Sequence, residues 1–451
     1  MNELSPQPRR WLIAALAVVV VLAVAGWFLL PPRALSFAGG RTVSLTDYKG
    51  ASPVGVPAEL RSADLVTRGR YLTQAADCEV CHTREGGEPF AGGRAFKTPF
   101  GVLYSPNITA DLQTGIGAWT DTDFLRAVHK GIARNGERLY PAFPYDSYTL
   151  LADDDVRAIR AYLFSLPAVH ATAPPNSLSF PFNQRWLMAI WGAFYNPEQR
   201  FRPHEDRSAD WNRGAYLAEA LTHCGDCHTP RNLAQALDNR RKFAGAITAG
   251  WRAYNITPDP VSGIGGWSDA ELADYLRSGH AAGRGPAGGP MAEEIDVSTS
   301  TLTGADLNAL ITYLRSLPPL HTDELPASKT APAPDSPESL QAGLDPRGRQ
   351  IFAGACESCH GWSGVSLLTN YATLTGDRAV NDPSAINVAQ IVLSGEVRHT
   401  ANGVVLMPGF GGAYSDTEIA AVANYVTARF GAAPSHLTAK DVAGLRELSS
   451  H

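Results

Sequence analysis

All six cysteines of the chain fall into three pairs of identical spacing, and each pair is followed at once by a histidine. The three runs are Cys78-Glu79-Val80-Cys81-His82, Cys224-Gly225-Asp226-Cys227-His228 and Cys356-Glu357-Ser358-Cys359-His360. Cysteines three apart stand about one helical turn apart, so both sulfurs can reach the two vinyl groups of one porphyrin. The histidine that follows is carried under the ring, where its imidazole can bind iron. This is the attachment motif of c-type haem. Competing chemistries fail on counting. Zinc needs four ligands, more than one such run supplies. A thioredoxin-like redox pair does not need the histidine. Pairs this close make poor disulfide staples.

The runs sit inside a repeated unit, and a period this long marks duplicated domains rather than a solenoid. Each copy opens on a helix-like segment, at Thr67–Leu72, Asn212–Leu217 and Pro346–Phe352. Each closes on an amphipathic helix with apolar residues three and four apart, at 153–166, 304–317 and 416–430. Copies one and two also share a block: Asn107-Ile108-Thr109 with Gly115-Ile116-Gly117-Ala118-Trp119, and Asn255-Ile256-Thr257 with Gly263-Ile264-Gly265-Gly266-Trp267. Copy three lacks it. The Pro-, Ala- and Ser-rich stretch 318–345 reads as a linker, and Trp186–Tyr195 as a buried connector. Domains are expected at 60–170, 200–320 and 340–432. A chain of 451 residues has room for about three.

The residues before the first copy are of another kind. From Trp11 to Leu30 no charge interrupts an apolar run, about the length a membrane-crossing helix needs. Arg9 and Arg10 precede it, which predicts a cytoplasmic N-terminus, an anchor over 1–32 and export of the remainder. The net charge of −6, with no strongly basic stretch, gives no reason to expect nucleic acid as a partner.

Sixth iron ligands are expected in the loops before the closing helices. Met291 after Gly288-Gly289-Pro290 and Met407 before Pro408-Gly409 fit that place in copies two and three. His/Met ligation raises the potential and closes the iron to other ligands, which suits electron transfer. Copy one carries Phe143 there, in Tyr140-Pro141-Ala142-Phe143-Pro144-Tyr145, and a phenyl ring cannot ligate iron. Aligning Gly131 with Gly279 and Gly395 sets His129 against Arg277 and Leu393, so a histidine stands at this position only in the copy without the methionine. The expectation is bis-histidine ligation by His82 and His129, against a five-coordinate iron. Met188, beyond the closing helix, is a remoter candidate.

With these motifs in place, residues 60–430 resemble the triheme cytochrome c subunit of membrane-bound bacterial dehydrogenases, the family serving alcohol, gluconate and aldehyde dehydrogenases. The resemblance is carried by Tyr104-Ser105-Pro106-Asn107-Ile108-Thr109, by Gly115-Ile116-Gly117-Ala118-Trp119 and by the three haem motifs. It implies an electron relay from a periplasmic catalytic subunit to ubiquinone or an oxidase. Many alcohol dehydrogenase partners carry methionine where this chain has Phe143. The phenylalanine form is more similar to subunits that accompany molybdenum hydroxylases, which implies such a partner with its iron–sulfur subunit, ahead of a quinoprotein or flavoprotein.

The expected fold class is all-α, an N-terminal transmembrane helix followed by three tandem class I cytochrome c-like domains. The expected cofactors are three haem c groups, held covalently by Cys78, Cys81, Cys224, Cys227, Cys356 and Cys359. His82, His228 and His360 are the expected axial ligands on one side of the irons, with Met291, Met407 and His129 on the other. No catalytic residue is expected, and the placement is the inner membrane with the haem domains facing the periplasm. The rival readings are a peroxidase-like enzyme at a five-coordinate first haem and a cytochrome subunit of a terminal oxidase.

Overall fold

The computed structural model describes residues 6–30, 41–43, 50–196, 198–334, 345–400 and 403–449. The N-terminal residues 1–5, Pro31, Pro32 and the 335–344 part of the expected linker lie outside them.

Each repeat is built on a crossing of its opening and closing helices. The opening helices are Leu65–Ala75, Ala209–Tyr216 and Pro346–Ala355, and the closing helices are Asp153–Ser165, Gly304–Arg315 and Asp416–Phe430. A glycine stands at each crossing because the helices approach backbone to backbone. A Cβ on Gly69 or Gly214 would lie 1.9 Å from the carbonyl oxygen of Ala158 or Ala309, and one on Gly348 2.2 Å from that of Ala421. One residue earlier an arginine pairs with a carboxylate on the closing helix: Arg68 with Asp155, Arg213 with Asp306, Arg347 with Glu418. Between the crossing helices lie a short motif helix (Cys78–His82, Gly225–His228, Glu357–His360) and a third helix (Asp121–Lys130, Asp269–Ser278, Ile386–Ser394). The third helices of units one and two begin with complete capping boxes, Thr120 with Asp123 and Ser268 with Glu271.

Units one and two share one continuous apolar core that runs from Tyr71 and Leu72 through Leu163 to Tyr216, Leu310 and Leu317. Unit three has its own, around Phe352, Ile419, Tyr425 and Phe430. The expected connector is only half inside. Trp191 is buried and donates its indole N–H to the Ala234 carbonyl, whereas Trp186, Ile190 and Phe194 are exposed.

Two expectations are corrected. The fold is not all-α, because among the described residues five small antiparallel sheets connect the helices. They include Ala95–Thr98 with Gly101–Tyr104, Trp251–Ala253 with Ala246–Thr248, and the hairpin of Glu396–Thr400 with Gly403–Met407. Loops pressed between units must pair their backbone N–H and C=O groups, and strands this short leave no readable alternation in the sequence. The single-pass anchor is also overturned. The apolar run forms a helix, Pro6–Leu29, but among the described residues no helix is long and apolar enough to cross a membrane. Its last turn is engaged by unit two: Asn232 donates to the Leu29 carbonyl at 3.1 Å, and the Arg240 guanidinium lies 4.9 Å over the Trp27 ring. The inner-membrane placement rested on that anchor and falls with it.

Candidate functional site

The three motif helices place their histidines alike. The Nδ1 of His82 lies 2.8 Å from the Pro106 carbonyl, that of His228 2.6 Å from Tyr254's, and that of His360 2.7 Å from Ala372's. A carbonyl only accepts, so Nδ1 carries the proton and Nε2 keeps its lone pair for a metal. Desolvation holds the pKa of all three rings below the ordinary histidine value, which favours the neutral, ligating form. None of the six cysteines is spent in a disulfide. Burial lifts the thiols of Cys78 and Cys224 to about 12. Paired thiols on one helical turn, beside an imidazole whose Nε2 is kept open, fit a covalently attached haem in each unit.

The block shared by copies one and two builds the acceptor for that histidine. Pro106 and Tyr254 immediately precede Asn107 and Asn255. Asn107 donates to the Val169 carbonyl at 2.7 Å and accepts from the Thr109 backbone, and Asn255 does the same with Leu320 and Thr257. The loop is thereby tied to the chain leaving the closing helix. The following glycines allow a close return, since a Cβ on Gly115 or Gly263 would lie 2.3 or 2.2 Å from the Thr109 or Thr257 carbonyl oxygen. These carbonyl partners were missed in the sequence, although their position just before the repeated Asn-Ile-Thr was a usable signal. Ala372 offered none, because copy three has no such block.

The candidates for the other iron position are placed less uniformly. Met291 is half-buried in the first turn of the helix Pro290–Val297 and packs, as does Tyr275 of the third helix, against a small cluster of Ala287, Ala292 and Ile295. Met407 is half-buried at the end of its strand. Phe143 packs against the main core, with Tyr148 5.5 Å away, and also against a smaller cluster around Trp191; Met188 touches only the latter.

His129 is buried in the last turn of its helix, and its Nδ1 lies 2.5 Å from the Arg200 guanidinium. A guanidinium only donates, so Nδ1 accepts and the neutral ring carries its proton on Nε2. That is the reverse of the three motif histidines. Burial and the Arg200 charge both push its pKa well below the usual value. Its place on the helix also differs from that of Tyr275 in unit two. Tyr275, which packs against the same small cluster as Met291, stands four residues before Gly279, and its counterpart is Ala127. His129 is two residues further on, roughly 200° round the helix, where unit two has the exposed Arg277.

Beside the motif of unit one, the carboxyl of Asp77, in left-handed backbone before Cys78, is pushed well above its ordinary value by burial and by Glu294. Arg94 bonds both Glu293 and the Val80 carbonyl. The motif helix of unit one therefore faces the helix that carries Met291.

Such paired thiols, oriented imidazoles and crossed helices define a c-type cytochrome. The third unit matches a family model described as cytochrome c oxidase, cbb3-type, subunit III, over residues 344–426. Over most of its length the chain is similar to named dehydrogenase subunits. It is 37% identical to the fructose dehydrogenase cytochrome subunit of Gluconobacter japonicus, across 84% of this chain and 82% of that one. It is 36% identical to the gluconate 2-dehydrogenase cytochrome c subunit of Pantoea cypripedii, across 85% and 90%. It is 40% identical to a nicotinate dehydrogenase subunit of Pseudomonas putida, across 82% of this chain but only 31% of that longer protein. The chain belongs to the family of cytochrome c subunits of dehydrogenases, with covalently bound haem c.

Proposed function

We propose that this protein holds three haem c groups, one per unit, and relays electrons from a catalytic dehydrogenase subunit towards ubiquinone or an oxidase. The observation that carries the reading is the threefold recurrence of a motif histidine whose Nδ1 is given to a backbone carbonyl. When bound, the haems supply reversible one-electron iron chemistry. The chain's own residues orient the imidazoles, exclude water from the rings and fix the distances between units. Cys78 with Cys81, Cys224 with Cys227, and Cys356 with Cys359 would hold the haems through thioethers, and His82, His228, His360, Met291 and Met407 would be iron ligands. Intact mass tests the count directly. The full chain should carry three haem increments, and alanine at both positions of any one cysteine pair should remove one; a wild-type mass with fewer than three overturns the reading.

The partner we propose is a molybdenum-dependent aldehyde or N-heterocycle oxidoreductase with an iron–sulfur subunit. Phe143 and the 40% identity to a nicotinate dehydrogenase component support it. Metal and cofactor analysis of the co-purified complex checks it: molybdenum is expected, and flavin or a quinone cofactor in its place would reassign the partner.

A second reading concerns the first haem alone. The Arg200 bond to His129 favours an iron with His82 as its protein ligand and an open side, the arrangement a peroxidase-like activity needs. It predicts a high-spin first haem that takes up CO or cyanide rapidly, and three low-spin haems inert to both would dismiss it.

A further inference from the structure

Gly289, two residues before Met291, donates its backbone N–H to the carboxylate of Glu396 at 2.5 Å. Glu396 belongs to unit three, where it opens one strand of the hairpin and stands opposite Met407 in the register. Two residues along, on the same face of that strand, Arg398 reaches the same loop of unit two. It donates to the Ala287 carbonyl at 3.0 Å and to Asp296 at 2.8 Å, and its side chain is only 3% exposed. Gly279, which caps the third helix of unit two, makes the room: a Cβ there would lie 2.1 Å from the guanidinium. The loop before Met291 and the helix after it are thus gripped by a carboxyl group and a guanidinium from one strand of another unit. At the far edge of the hairpin, a Cβ on Gly395 would meet the Met407 carbonyl at 2.6 Å, so the strand that grips unit two also packs against the backbone of Met407.

A thioether is a neutral ligand with no charge to hold it at iron, so its occupancy depends on how firmly its loop is held. Loops at sites like this belong to the locally opening part of a fold, and a carboxyl oxygen that accepts from a backbone N–H restrains such a loop. We propose that Glu396 and Arg398 are positioning residues that hold Met291 at the second iron, so that ligation there depends on the docking of unit three. The inference rests on the reading above in which Met291 and Met407 are the sixth ligands.

The test uses the full-length protein with its haems attached, following the long-wavelength methionine-to-iron(III) charge-transfer band and the reduction potentials. Two methionine-ligated irons share that band, so Glu396→Ala should lose about half of it and lower one potential of the set. Combined with Met291→Ala the loss should not grow; combined with Met407→Ala the band should vanish. Glu396→Gln keeps an oxygen that accepts from Gly289 and should restore most of the signal, which a general loss of packing would not permit. A full band with unshifted potentials in Glu396→Ala, while Met291→Ala loses half, overturns the clamp and leaves the ligand reading standing. A full band in Met291→Ala overturns the ligand reading and the clamp with it.

Discussion

The phenol of Tyr71, on the opening helix of unit one, donates to the Asp306 carboxylate of unit two at 2.6 Å, and Tyr216 of unit two returns the bond to Asp155 of unit one at 2.6 Å. Each tyrosine stands two residues after the crossing glycine, and each carboxylate is already paired with its own unit's arginine. The two units are joined as a pseudo-twofold pair, every member of the junction matched by its counterpart. Unit three repeats the ion pair as Arg347 with Glu418, but has the exposed Gln350 at the tyrosine's position. It joins unit two by its hairpin and by Asp382, Asn387 and Gln390, which bond Arg252 and Gly250.

Tyr71→Phe and Tyr216→Phe should each remove one buried hydrogen bond to a carboxylate, at about 1.5–3 kcal/mol. Denaturant unfolding of the haem-loaded protein checks this. The transition of units one and two should move to lower denaturant, with that of unit three unmoved.

The crossing glycines should tolerate no side chain. Gly69→Ala, Gly214→Ala or Gly348→Ala forces the helices apart against a backbone oxygen, which should cost at least about 2–3 kcal/mol. Thermal melts followed at the Soret band should show one unit weakened in each variant.

Acid and neutral pH should act with opposite signs at two carboxylates. Burial raises Asp377 to about 7, so between 3.8 and 7 the folded state binds more proton than the unfolded, and stability falls as pH rises through that window. Asp377→Asn should flatten the profile there and gain on the wild type above pH 7. Glu271 is lowered to about 2 by Arg284 and by the backbone of Ser268, so its contribution is complete above 4.5 and is lost as pH falls towards 2. Glu271→Gln should remove that acid limb. Unfolding midpoints measured from pH 2 to 9 resolve both.

His129→Ala should leave the optical and electron-spin signatures of every haem unchanged, because Arg200 holds Nδ1 and the helix turns the ring away from the side Tyr275 occupies in unit two. Disappearance of a low-spin signal would instead make His129 an iron ligand.

The sequence read on its own carried the attachment chemistry, since Cys-x-x-Cys-His places two sulfurs and an imidazole within one local turn. It also carried the helices that open and close each unit, because their apolar period and caps are local. Tertiary structure decided what lies far apart along the chain. The carbonyl that fixes each motif histidine's tautomer comes from another loop, the tyrosine over the ion pair of unit one or two comes from the other of the two units, and Arg200 takes His129 from 71 residues away. The last turn of the N-terminal helix likewise meets Asn232 and Arg240, far along the chain in unit two. Spacing fixes a group's neighbours only within a turn or two of backbone; beyond that, packing chooses them.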